Sequence, residues 1–234
     1  MAIAVQQIHP VAHLPLVLGV LRRLEVATVV DRLIPLHPAH VLSCGRGVEA
    51  LVLAILDGDH ALYKVGRRLA ERGMVARLHP GLTRASLNDY RLGHILDALV
   101  AANLNRVFGA IALKALEVYA ISTPWLHQDT TTILLYGAYA DEPKSPVAPR
   151  PAYGQSTDGR DDLKQVLLSL GVSGDGGIPL RLGLRDGNRS DSVETPVAIA
   201  ECLALGLEGV RGIVADSKAS SRRTLGLCLE HGIG

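Results

Sequence analysis

An α/β protein is predicted: a helical amino-terminal domain over residues 1–122, then a mixed sheet with its own helices over residues 123–234. Three observations predict it. Apolar residues in the first 120 positions recur at helical spacing. After Pro124 the chain changes to short runs rich in β-branched residues, punctuated by glycine turns. The charge is also divided: residues 1–120 carry 13 Lys and Arg against 9 Asp and Glu, and residues 121–234 carry 11 against 14. A mildly basic half joined to an acidic half suggests two parts with different jobs.

The first helical segment places Val17, Val20, Leu21, Leu24 and Ala27 on one face, with Arg22, Arg23 and Glu25 between them, and Pro35 and Pro38 end it. Val48–Leu56 is a second apolar stretch, stopped by Asp57-Gly58. A third, Ala61–Ala70, carries Lys64, Arg67 and Arg68. Pro80-Gly81 marks a turn, and Ser86 is placed to cap the helix that follows. Leu92, Ile95, Leu96 and Leu99 give a strong stripe, so segments of about 86–102 and 104–119 read as a helical pair ending at Thr123-Pro124. Trp125–Tyr136 then reads as a strand and 137–160 as a loop. Leu163–Val172 and Ile178–Leu184 are strands joined by a glycine-rich hairpin turn. Ser192–Leu205 is a helix with Pro196 near its start, Val210–Ala215 a short strand, and Ser220–Glu230 a helix. Three strands in antiparallel succession, a helix and a crossover strand form the opening of an RNase H-like sheet, here incomplete.

Composition narrows the function. At 48% hydrophobic and 20% charged, the 234 residues can bury a sizeable core and are too apolar for a disordered chain. One Phe, one Trp and six Tyr argue against a base-stacking platform, and a net charge of +1 gives no global nucleic-acid signature. Cys44, Cys202 and Cys228 have no paired spacing and read as reduced thiols of a cytoplasmic protein. The amino terminus lacks the pattern of a signal peptide, and the apolar runs fall short of the roughly 18–20 residues of a membrane span, so a soluble protein is expected.

Two carboxylates carry the chemistry. Asp129 lies inside an apolar, β-branched strand, either on an edge facing water or in a site. Asp216 ends a short strand, as a cap for the next helix or at the carboxyl edge where α/β sheets place ligands. In an RNase H-like sheet the first and fourth strands are neighbours, so the two would converge. Paired carboxylates there suit Mg²⁺ or Mn²⁺, and two such ions clamp a phosphoryl transfer.

His127-Gln128-Asp129-Thr130-Thr131, the block Tyr153–Gln165, then Gly187-Asn188-Arg189-Ser190-Asp191 and Val214-Ala215-Asp216-Ser217 follow in order. Together with Leu87–Leu99 upstream, they resemble the DDE transposases of bacterial insertion sequences, in the IS-four-like branch. The resemblance implies that Asp129 and Asp216 are the first two catalytic and metal-binding aspartates of a site holding two Mg²⁺ or Mn²⁺ ions. It implies metal-dependent cleavage and strand transfer without a covalent enzyme intermediate. Double-stranded DNA at transposon ends and target is the implied partner, in the bacterial cytoplasm at the nucleoid; a homodimer is left open. The family's third acidic residue is a glutamate well past the second aspartate, whereas 18 residues, 217–234, follow Asp216 here. The expectation is therefore an amino-terminal fragment without activity, with a non-catalytic DNA-binding or regulatory module as the alternative. Arg160 and Lys164 either contact phosphate or pair with neighbouring aspartates. Lys64, Arg67, Arg68 and Arg72 share one helix face, read either as a DNA contact or as a solvated face. His9 and His13 are not expected to bind zinc, Asp191 is expected to cap a helix, and a packing role is favoured for His127.

Overall fold

Where apolar residues recur every three or four positions before Pro124, the chain is helical. A computed structural model describes residues 9–35, 41–139, 148–154, 159–207 and 209–234. Among these, the helices before Pro124 are α1 (Leu14–Arg23), α2 (Val26–Leu33), α3 (Cys44–Leu56), α4 (Leu62–Glu71), α5 (Val75–Leu78), α6 (Asp89–Ala101) and α7 (Leu104–Tyr119). The chain divides into two units, Met1–Lys114 and Ala115–Gly234. That division falls within α7, upstream of the Thr123-Pro124 turn.

The first unit is built on two apolar clusters. Leu14, Leu53, Leu69, Leu87 and Leu92 are fully buried in the larger one. Leu21, Val26, Val30 and Val107 form the smaller. The single segment expected from Val17 onward is two helices, because Glu25 turns left-handed at φ 53°. The break lets one apolar run serve both clusters, with Leu14 and Leu18 entering the first and Leu21 and Val26 the second.

Two glycines set the closest approaches. A Cβ at Gly45 would lie 2.2 Å from the Ala27 carbonyl oxygen, so α3 crosses α2 backbone to backbone. One at Gly66 would lie 2.5 Å from the Arg84 carbonyl oxygen, where α4 meets a short 3-10 helix, Arg84–Leu87. Ser86 is held inside that turn with Thr83, and Asn88 caps α6 instead by accepting from the Arg91 amide at 2.9 Å.

In the second unit, β1 (Trp125–Leu135), β2 (Lys164–Ser173), β3 (Pro179–Asp186) and β4 (Gly212–Ala215) pair in the order β3-β2-β1-β4. The first three are antiparallel and β4 runs parallel to β1, as in the opening of an RNase H-like sheet. Gly176 and Gly177, both at positive φ, make the β2–β3 turn. Trp125 lies where a Cβ on Gly212 would sit, and the Pro124 carbonyl accepts from the Arg211 and Gly212 amides. Gly234 pairs with the outer edge of β4 through Arg211 and Ile213. α8 (Asp191–Leu203) and α9 (Arg222–Glu230) complete the unit. Pro196 is the sixth residue of α8, deeper than expected, and costs the helix one hydrogen bond.

The sheet face beneath α8 is polar. Glu194 of α8 is wholly buried and accepts from Arg181 at 2.7 Å, Arg185 at 2.9 Å and Arg189 at 2.8 Å. Glu201, two turns on, takes further bonds from Arg181 and Arg185. Burial alone would raise the Glu194 pKa; the guanidiniums of Arg181 and Arg185 outweigh it and hold the carboxyl below its ordinary range.

Glu194→Ala removes the one fully buried acceptor that these guanidiniums share. We expect it to destabilise the second unit by about 3–5 kcal/mol in chemical denaturation. Gly45→Ala, which forces α2 and α3 apart, should cost the first unit roughly 1–3 kcal/mol in the same measurement.

Candidate active site

Parallel pairing of β1 with β4 aligns Gln128 with Ala215. The next residue along each segment, Asp129 within β1 and Asp216 just past β4, therefore sits at the same level of the sheet. Both are exposed. They line one cleft with Gln128, Thr130, Thr195, Ala215 and Ala219. The sheet thus brings together the two carboxylates singled out from sequence.

The Thr130 amide donates to Asp129 Oδ1 at 2.8 Å, which orients that carboxylate from its own strand. The Asp216 carbonyl accepts from the Ala219 amide at 2.9 Å and starts a 3-10 turn, Ser217–Ala219. Asp216 does not cap α9; Ser221 does, accepting from the Thr224 amide at 3.1 Å. His127 lies two residues before Asp129, with its ring beside Gly174 of the β2–β3 turn.

Two carboxylates brought level by neighbouring strands are hard oxygen donors. They fit Mg²⁺ or Mn²⁺, which bind through one or two carboxylates and complete the shell with water and substrate phosphate. Among the described residues, no group of three or more His, Cys, Asp or Glu is placed to hold a metal ion.

The Tyr153–Gln165 block is a structural junction where it is described; its residues 155–158 lie outside the described residues. Ala152 and Gln165 exchange backbone hydrogen bonds at 3.1 and 2.9 Å, and Gln165 Nε2 donates to the Gly187 carbonyl at 2.9 Å. A Cβ on Gly154 would meet Gly187 O at 2.4 Å, and one on Gly187 would meet Gln165 O at 1.9 Å. Arg160 makes a two-pronged pair with Asp162 at 2.7 and 2.8 Å, and that pairing lowers the Asp162 pKa. Lys164 donates to the Ala138 and Tyr139 carbonyls and lies over the Tyr153 ring. Ser190, not Asp191, holds the N-cap position of α8.

In the first unit every member of the basic face has an acidic neighbour. Lys64 pairs with Asp59 at 3.3 Å and Arg67 with Glu71 at 3.8 Å. Arg68 and Arg72 converge on buried Asp57 at 2.7 and 2.8 Å. Desolvation pushes the Asp57 pKa up, and the two guanidiniums prevail and lower it. His9 bonds the Glu71 carbonyl and His13 the Leu56 carbonyl, so both tie the chain to helix ends.

Gln128, Thr195 and the arginine network were not singled out from sequence. The alternation Arg181, Gly183, Arg185 on β3 and the spacing of Glu194 and Glu201 on α8 carried the signal. Cys202 is buried and its thiol is pushed up to about 11 by desolvation. Among the described residues no single helix is long and apolar enough to cross a membrane. The pair α6 and α7 passes that test only together, and it bends by 89°.

Residues 6–113 match the model of a domain of unknown function, DUF4277, which spans just under half of the chain. A search of curated proteins found no match.

Asp57 has a lowered folded pKa, so its stabilisation is present above the unfolded carboxyl value near pH ~3.9 and is lost as pH falls through the folded one. We expect Asp57→Asn to cost about 2 kcal/mol at neutral pH. The gap from the native chain should narrow as pH falls below about 4 in denaturation curves.

Proposed function

We propose that this chain is a DDE-type transposase of a bacterial insertion sequence, acting on double-stranded DNA in the bacterial cytoplasm. The observation that supports this is the meeting of Asp129 and Asp216 in one cleft, where parallel pairing of β4 with β1 brings the two level. In sequence order, motifs resembling that family surround both residues. The DUF4277 match, to a family of unknown function, adds no activity.

Asp129 and Asp216 would hold Mg²⁺ or Mn²⁺ through carboxylate oxygens, as the two protein ligands the cleft provides among the described residues. Bound there, the metal supplies Lewis-acid activation of phosphate and of the attacking hydroxyl. The Thr130 amide, bonded to Asp129 Oδ1, restricts how that carboxylate turns toward the ion. The Tyr153–Gln165 block braces the sheet through Gly187. The helical unit is proposed to contact transposon-end DNA. There, Lys64, Arg67, Arg68 and Arg72 would exchange carboxylate partners for phosphates.

A second reading is a non-catalytic DNA-binding or regulatory module. It is favoured by a cleft that gathers two carboxylates rather than three among the described residues.

The test uses the purified chain with the DNA that flanks its own gene. The catalytic reading predicts Mg²⁺-dependent strand cleavage, with Asp129→Ala and Asp216→Ala each losing more than about 100-fold, beyond the cost of an outer-shell change. DNA retention without cleavage in either metal would support the second reading. Cleavage that survives both substitutions would remove these aspartates from the chemistry.

A further inference from the structure

We propose that Gln128 is a positioning residue: its side-chain amide fixes the backbone of Asp129 to the buried charge network under α8. What that positioning serves rests on reading Asp129 as a cation ligand; the positioning itself does not.

Gln128 is 6% exposed, on the face of β1 that α8 covers. Its Nε2 donates to the Asp129 carbonyl at 3.0 Å and to Ser169 Oγ at 2.9 Å. Ser169 has no solvent exposure, and its hydroxyl also accepts from Arg181. Arg181 in turn bonds Glu194 at 2.7 Å and Glu201 at 2.6 Å. A continuous buried path therefore runs from the Glu194 carboxylate of α8 to the main chain of the residue that lines the cleft.

Stability alone does not explain the amide. Gln128 Oε1 is buried without a hydrogen-bond partner among the described residues. It lies over Gly171, where a Cβ would come within 3.2 Å of it and within 2.8 Å of Cys202 Sγ. An orphaned buried acceptor is a liability that an unbranched apolar side chain of similar length avoids. The amide returns two N–H bonds, and one of them is onto Asp129. A polar group kept at a cost beside a candidate ligand acts as an outer-shell support, which sets orientation rather than stability.

Gln128→Met in the full chain separates these roles. The variant should melt within a few degrees of the native chain or above it. Resolved by NMR, its Thr130 amide, which donates to Asp129 Oδ1, should exchange at least about tenfold faster, while the Leu167 and Leu180 amides keep their protection. Unchanged Thr130 exchange overturns the inference. Should Gln128→Met not fold, Ser169→Ala, which removes the second anchor, must speed Thr130 exchange in the same direction; no change there overturns it equally. Titration with Mn²⁺ alone tests the function of the support: Gln128→Met should bind it about 10–100-fold more weakly. A native chain that takes up no Mn²⁺ defeats the cation-ligand reading and leaves Thr130 exchange to decide the positioning.

Discussion

A carboxylate with no access to water, held by three guanidiniums, organises the second unit. Glu194 draws Arg181 and Arg185 from β3 and Arg189 from the turn after it. Those bonds hold the crossover helix α8 over the sheet. The chain leaving α8 then enters β4 beside β1, which brings Asp216 level with Asp129. A buried ion network of this kind contributes little net stability against an apolar packing, but it is strongly directional. Here the direction it specifies is the alignment of β4 with β1.

The first unit uses a different device. Its helices meet through leucine clusters and two glycine crossings, and the cations of the Lys64–Arg72 face are already paired with carboxylates. Asp57 binds Arg68 and Arg72 together and locks the turn after α3 to the end of α4. A phosphate approaching either arginine competes with a buried carboxylate. DNA affinity through this face would therefore be modest per contact and sensitive to salt.

Much of the architecture was legible because it is local. Leu104–Tyr119 reads as α7 from its spacing alone, and the strands fall within about two residues of their expected ends because β-branched runs and glycine turns bound them. The neighbouring of Asp129 and Asp216 followed from strand order. What stayed hidden depends on contacts across the chain. The break at Glu25 exists because two clusters compete for one apolar run. Ser86 and Asn88 are both good caps two residues apart, and the approach of Gly66 to the Arg84–Leu87 turn accompanies the choice of the second. Gln128 carries no local signal, since its role comes from Ser169, 41 residues away.

The junction of Gly154, Gln165 and Gly187 bears on how this sequence can change over generations. A Cβ at either glycine would collide with backbone or with the Gln165 side chain, and the glutamine's amide is spent on Gly187. Residues in such contact do not vary independently. Genetic exchange between related copies, with a crossover between codons 165 and 187, would inherit the first half of the junction from one parent and the second from the other. A recombinant keeps the junction only where residue 187 of one parent fits residues 154 and 165 of the other, so this stretch should descend as a linked block.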